Sequence, residues 1–387
     1  MNEAVLVSAV RTPIAKVKGA LKDMQPAEYG ALVIREALQR ANLQGEEVDD
    51  VIFGNCLNGG GNIARLSALM AGMPVSVAGL TIDRQCGSGI NSVALAAEAI
   101  RAGSAGIMVA GGTESMTRIP FLMESSSQAY DRTPPKFVRR ELSPPSIGNP
   151  PMGITAENLV ERYGISREEQ DEFSFQSQQK MRTAMEAGLF AEQILPVSIP
   201  SKKGESFLFD TDEHPRPDST LAALARLQPA FKQGGTVTAG NSSGVNDGAA
   251  ALVLMDSREA EKRGLEPLAR VTGWAVAGVD PNIMGIGPVP ATQKLLAKMS
   301  LTMDDIDLVE INEAFAAQVI ACDRELHFDP DRVNVTGGAI AHGHPIAATG
   351  SMLVTKLAYE LKRRGSKRGL VTACIGGGQG IALMIER

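Results

Sequence analysis

Cys86 lies in the stretch TIDRQCGSGINSVALAAEAIRAG, between an apolar, strand-like run and an alanine-rich helical run. A thiol at a helix entrance meets unpaired backbone N–H groups and the positive end of the helix dipole, and both favour the thiolate. Gly87 and Gly89 let backbone come close to a ligand. The plain alternative is a buried cysteine packed as a small hydrophobe. Two of the four histidines, His342 and His344, fall in NVTGGAIAHGHPIAATG, which reads as a strand, a glycine-rich turn and a helix starting near Pro345. An imidazole base distant in sequence is the ordinary partner of a cysteine nucleophile. One of the two histidines can equally be structural. A zinc reading of His-x-His needs further ligands, and no nearby His, Cys or carboxylate has metal spacing, so no metal is expected.

Two more positions join them. Cys374 in VTACIGGGQG ends a buried strand and enters three glycines, whose backbone N–H groups are suited to an oxyanion. The alternative is an inert strand-end thiol. The loop is no P-loop, because the Lys-Ser/Thr ending is missing, and GSGINS fails the dinucleotide fingerprint. Asn312 and Glu313 in VEINEAFAAQ sit at a strand-to-helix junction. They serve there as helix caps or as groups facing a ligand at the carboxyl end of a sheet. Cys86, Asn312, His344 and Cys374 all fall at or just beyond predicted strand ends.

The elements that must position them follow an α/β grammar. Strands are expected over residues 4–10, 49–56 and 105–112, and helices over 27–41, about 62–70 and about 88–101. Such alternation predicts a mostly parallel sheet covered on both faces. The back third repeats the pattern. ATQKLLAKMSLTMDDIDLVEINEAF parallels REALQRANLQGEEVDDVIFGNCL, RRGSKRGLVTACIGGG parallels RAGSAGIMVAGGTES, and GAAALVLMD parallels the terminal GIALMIER. Two copies of one unit, the first holding a long insertion, account for this. The insertion is Pro-, Ser- and charge-rich at first, then helical, with Ser166 and Glu169 as a capping box.

With 387 residues the chain exceeds one ordinary core. A net charge of −6 leaves no basic footprint, so nucleic acid is not an expected partner. Four scattered cysteines without a CxxC read as reduced thiols of a cytoplasmic protein. No apolar run reaches membrane-span length, and MNEAVLVSAVRTP reads as a first strand in place of a signal peptide.

Taken in order, RTP, CGSG, VTAGNSSGVNDGAAA, NEAF, GGAIAHGHP and CIGGGQG resemble the thiolase family over essentially the whole chain. The resemblance implies duplicated half-domains (residues 1–118 plus 246–267, and 268–387) in a five-layer αβαβα α/β fold. It also implies an inserted loop domain over 119–245 and a homodimer or homotetramer. It further implies ping-pong acyl transfer between CoA and acetyl-CoA, with CoA a substrate and no resident cofactor. Cys86 would carry the acyl group and Cys374 would move the α-proton. His344 would activate the nucleophile, and Asn312 would hold the water of its oxyanion site. The N–H groups of Cys86 and Gly376 would form a second oxyanion hole. Ser243, Met152 and, near the adenine end, Arg216 would contact CoA.

Three departures stand out: His342 where a bulky apolar residue is usual, Ala347 in place of a glycine, and Pro151 in place of a histidine. The first would perturb His344 or merely pack, the second would tighten the turn beside His344, and the third bears on pantetheine contacts. The expectation is a 3-ketoacyl-CoA thiolase of broad chain length. An acetoacetyl-CoA-specific biosynthetic thiolase is the alternative within the family. A decarboxylating ketoacyl synthase, a non-catalytic acyl-CoA or lipid-binding relative and a redox sensor using Cys86 and Cys374 are the outside alternatives.

Overall fold

The computed structural model describes residues 2–59, 61–200 and 204–387. Its strands are β1 (Ala4–Arg11), β2 (Ala15–Lys16), β3 (Asp50–Gly54), β4 (Ala78–Ile82), β5 (Ile107–Ser115), β6 (Val197–Ile199), β7 (Phe207–Phe209), β8 (Asn246–Asp256), β9 (Ala269–Gly278), β10 (Leu308–Ile311), β11 (Arg368–Ile375) and β12 (Gln379–Glu386). Its helices are α1 (Pro26–Arg40), α2 (Ile63–Met70), α3 (Ser88–Arg101), α4 (Met152–Tyr163), α5 (Arg167–Glu186), α6 (Leu221–Ala225), α7 (Ser257–Lys262), α8 (Pro288–Met299), α9 (Ala316–Leu326), α10 (Ala339–His342) and α11 (Ile346–Arg364).

The large sheet runs β10-β11-β12-β9-β1-β8-β5-β3-β4, with β2 on β8. Among the described residues, the ladders of its two halves join where Val5 and Leu6 of β1 pair with Arg270 and Ala269 of β9. Each half repeats one order and sense: β1-β8-β5-β3 on one side, β9-β12-β11-β10 on the other. In both, the first two junctions are antiparallel and the last is parallel. The parallel Val333–Val309 bridge stands where β4 lies beside β3 in the first half. The duplication read from sequence is therefore present in the strand order.

The sheet is mixed, which corrects the mostly parallel expectation. Apolar runs report burial on both faces and carry no record of strand direction. All eleven residues of β8 are buried, although both of its large-sheet neighbours run antiparallel to it. A second correction concerns the strand predicted at the start of NVTGGAIAHGHPIAATG. No strand forms there among the described residues, because Asn334 (φ 44°), directly after the isolated Val333 bridge, turns the chain out of the extended region.

The layers follow from which faces are apolar. Ile90, Val93, Ala94 and Ala97 of α3 and Leu353, Val354 and Leu357 of α11 pack in one core between the halves, against Leu6, Ile52, Leu252 and Leu254 and against Val371, Ile381 and Leu383. Tyr29, Val33 and Ile34 of α1 and Ala64 and Ala68 of α2 cover the outer face of the first half. Leu295 of α8 and Val319 and Cys322 of α9 cover the outer face of the second. The result is αβαβα. The described residues of 119–245 add no strand to the large sheet; they contribute α4 to α6 and the β6–β7 pair. Ser166 caps α5 with the expected reciprocal pairing to Glu169.

Candidate active site

Cys86 sits in a short 3-10 turn, Gln85–Gly87, that runs directly into α3. Gln85 has φ 43°, a left-handed conformation uncommon outside glycine, so the backbone is sharply turned just before the thiol. Ser88 holds the turn: its hydroxyl accepts from Arg84 N at 2.8 Å and donates to Gln85 O at 2.7 Å. The flanking glycines serve packing, not a ligand, which corrects the sequence reading. A Cβ on Gly89 would lie 2.3 Å from Ser351 N of α11, and one on Gly87 would lie 2.6 Å from Ile375 Cδ1. Their absence lets the two central helices and β11 close around the thiol.

His344 lies between α10 and α11, beyond a helix and not beyond a strand. Gly343, at φ 100°, has no room for a side chain, since a Cβ would lie 2.5 Å from Asn246 Cγ. Asn246 Oδ1 accepts the His344 N–H at 2.9 Å. On the ring, Nδ1 is 2.7 Å from Thr349 Oγ1, and that hydroxyl donates its one proton to Pro345 O at 3.0 Å. Thr349 therefore accepts from Nδ1–H, which leaves Nε2 as the basic nitrogen. Nε2 faces Cys86 Sγ at 3.3 Å, across 258 residues of sequence, and Asn312 Nδ2 at 3.4 Å. Asn312 is buried, and its side-chain oxygen has no hydrogen-bond partner among the described residues.

Burial sets the charges. It pushes the Cys86 thiol up to about 11, against the pull of the Gly376 and Cys86 backbone N–H groups, and it lowers His344 to about 4. At neutral pH the resting pair is a thiol beside a neutral imidazole. Cys374, the penultimate residue of β11, is raised well above the usual thiol range by burial and next by the nearby Cys86. It packs with Ala314 and Phe315, beside Met152.

The remaining sequence candidates divide. Met152 opens α4, and its Sδ would lie 3.5 Å from a Cβ on Gly376, so it borders the thiol pair. The Ser243 N–H donates to Ala314 O at 3.0 Å, two residues past Asn312. Arg216 is exposed and lines a separate hollow with Gln178, His214, Leu224 and Leu227. Glu313 is no cap, since α9 starts at Ala316; it is buried and accepts from Ser177 Oγ, Asn334 Nδ2 and Ile340 N. His342 packs: its Nδ1 is 2.8 Å from Gly343 O, and burial lowers its pKa well below the usual value. Ala347 lies inside the first turn of α11, fully buried, so it tightens no loop. Asn246, Thr349 and Gln85 escaped the sequence reading. Thr349 lies five residues from His344, a spacing with a signal; Asn246 and Gln85 have none.

Residues 4–258 match the thiolase N-terminal domain and residues 265–387 the thiolase C-terminal domain. An acetyl-CoA acetyltransferase of Syntrophomonas wolfei is 50% identical, covering 100% of this chain and 99% of its own. One of Escherichia coli is 48% identical over the full length of both. The crystal structure of a Bacillus anthracis acetyl-CoA acetyltransferase superposes with a TM-score of 0.95 at 46% identity, covering 100% of this chain and 99% of that one. Human mitochondrial 3-ketoacyl-CoA thiolase gives 0.93 at 41%, with the same coverage. The chain, with its thiol–imidazole pair held between duplicated halves, belongs to the thiolase family and is an acyltransferase.

Proposed function

We propose that this chain moves an acyl group between CoA and acetyl-CoA through an acyl-Cys86 intermediate, cleaving 3-ketoacyl-CoA with CoA or running the reverse condensation. In cleavage, Cys86 S–H passes its proton to His344 Nε2 as sulfur attacks the 3-keto carbon. The bond between carbons 2 and 3 breaks, and the acetyl-CoA carbanion takes the Cys374 proton. The His344 proton then restores Cys374; CoA attacks the thioester, passing its thiol proton to His344 Nε2, which delivers it to the departing Cys86 sulfur. Asn312 and a water donating to its unpaired oxygen would stabilise one oxyanion, and the N–H groups of Cys86 and Gly376 the other. One such donor is typically worth about 10²–10³ in rate. Ser243, Met152 and Arg216 are assigned to CoA, which is a substrate in place of a resident cofactor.

The observation that carries this reading is the Cys86 Sγ–His344 Nε2 contact at 3.3 Å beside a second buried thiol, Cys374. It extends to a cytoplasmic homodimer or homotetramer, with halves divided at residues 1–118 plus 246–267 and 268–387 around an inserted loop domain over 119–245. A short-chain, acetoacetyl-CoA-directed enzyme is the second reading. It is favoured by Leu142, whose Cδ1 would lie 3.0 Å from a Cβ on Gly376 and narrows that side of the site, and by the names of the bacterial relatives. The test is CoA-dependent loss of 3-ketoacyl-CoA absorbance over a chain-length series. Wild type should cleave at least the four-carbon substrate and Cys86→Ser none; no cleavage at any length by wild type would overturn the proposal.

A further inference from the structure

Glu114, near the end of β5, is a buried carboxylate, and it forms no salt bridge among the described residues. Its partners are instead drawn from two separate segments, the loop at residues 55–57 and the first turn of α11. Oε1 accepts from Leu57 N at 3.0 Å and Asn55 Nδ2 at 3.2 Å, and Oε2 from Cys56 N at 3.2 Å and Ala347 N at 3.2 Å. Each segment leads to one member of the pair. Cys56 Sγ donates to Gln85 O at 3.5 Å and stands 3.3 Å from Ser88 Oγ, so it braces the left-handed turn that presents Cys86. Ala347 lies in the first turn of α11, three residues after His344, where a negative charge also suits the helix dipole.

Close packing of α3 on α11 brings the two helices together, but the supporting hydrogen bonds described above do not join them. Ser88 secures the Cys86 turn internally, and Thr349 and Asn246 secure His344, but none of these spans both. Building on the acyl-transfer reading above, we propose that Glu114 is a positioning residue, a single anchor that sets the separation of Cys86 from His344. Ionised, the carboxylate is acceptor-only and takes all four N–H groups; burial raises its pKa to about 7, against the pull of the Leu57, Cys56 and Ala347 N–H groups. A glutamine at this place would turn an NH₂ group toward two of those donors.

The test measures kcat and KM for 3-ketoacyl-CoA cleavage and, separately, the rate of Cys86 alkylation by iodoacetamide, in wild type, Glu114→Gln and Glu114→Asp. Near-UV circular dichroism reports native packing. The expected result for natively packed Glu114→Gln is a kcat about 10²-fold lower, the scale of loss for ångström-level misplacement. KM should stay within about threefold, alkylation should slow several-fold, and Glu114→Asp should recover part of both. Wild-type kcat and alkylation in packed Glu114→Gln, or a loss confined to KM, overturns the proposal. If Glu114→Gln does not fold, Cys56→Ala breaks the brace on Gln85: a lower kcat at unchanged KM supports the anchor, and an unchanged kcat overturns it. A wild type without cleavage activity would sink the acyl-transfer reading alone, since alkylation still tests the anchor.

Discussion

Replacing Thr349 by valine isolates the hydroxyl that orients the proposed base. Valine keeps the buried shape and removes only the acceptor 2.7 Å from His344 Nδ1. Pro345 O loses little, because it still accepts from Ala348 N and Thr349 N, each at 2.9 Å. The cost therefore falls on one group, a buried imidazole N–H left without its partner. Such an orphaned donor costs about 1–3 kcal/mol. The ring can escape by turning or by moving its proton to Nε2, and either change spoils the basic nitrogen facing Cys86. If that cost is expressed in the transition state, kcat falls between about 5- and 150-fold, at about 1.36 kcal/mol per decade. The assay is steady-state CoA-dependent cleavage at saturating substrate, with Thr349→Ser as the control that keeps the hydroxyl. Activity in Thr349→Val within about twofold of wild type would refute the tautomer assignment and the orientation argument with it.

Further outcomes follow from the same geometry. Cys374→Ser should lose net cleavage by several orders of magnitude yet still exchange labelled CoA into acyl-CoA, because exchange needs only Cys86 and His344; parallel loss of both reactions would contradict its proton-transfer role. Iodoacetamide alkylation of Cys86 should rise steadily with pH from about 6 to 9, since burial holds the thiol up at about 11 and the thiolate fraction grows tenfold per pH unit below that; a plateau near neutrality would show a preformed thiolate–imidazolium pair. Asn312→Ala should lower kcat by about 10²–10³, the typical worth of an oxyanion-site group, with little change in melting temperature. Gly89→Ala should destabilise by about 1–3 kcal/mol through overpacking, because its Cβ would meet Ser351 N at 2.3 Å; an unchanged thermal midpoint would contradict the close α3–α11 approach.

What the sequence made legible was mostly local. The span of α3, Ser88–Arg101, and the cap at Ser166 follow from periodicity and capping chemistry within a few residues. The αβαβα layers are implied by alternating strands and helices together with the internal repeat. Strand direction was not legible, because β8 and β12 have the same apolar texture whichever way they run. At the site, the unusual clustering of Cys, His and Asn near glycines marked Cys86, His344, Asn312 and Cys374. Their supports are ordinary in sequence. Glu114 looks like any carboxylate at a strand end, and its four donors come from residues 55–57 and 347. Gln85 shows no sign of its left-handed turn. Glycine chemistry was read one way and used another: Gly87 and Gly89 open space for neighbouring helix and strand atoms, not for a ligand.

The central claim is that the acyl group rides on Cys86. Wild-type protein incubated with acetyl-CoA, quenched in acid and digested should yield one peptide carrying the mass of a single acetyl group on Cys86. The label should vanish on adding CoA and be absent from Cys86→Ser. An acetyl group on Cys374, Cys56 or Cys322, or turnover with no label on Cys86, would contradict the account.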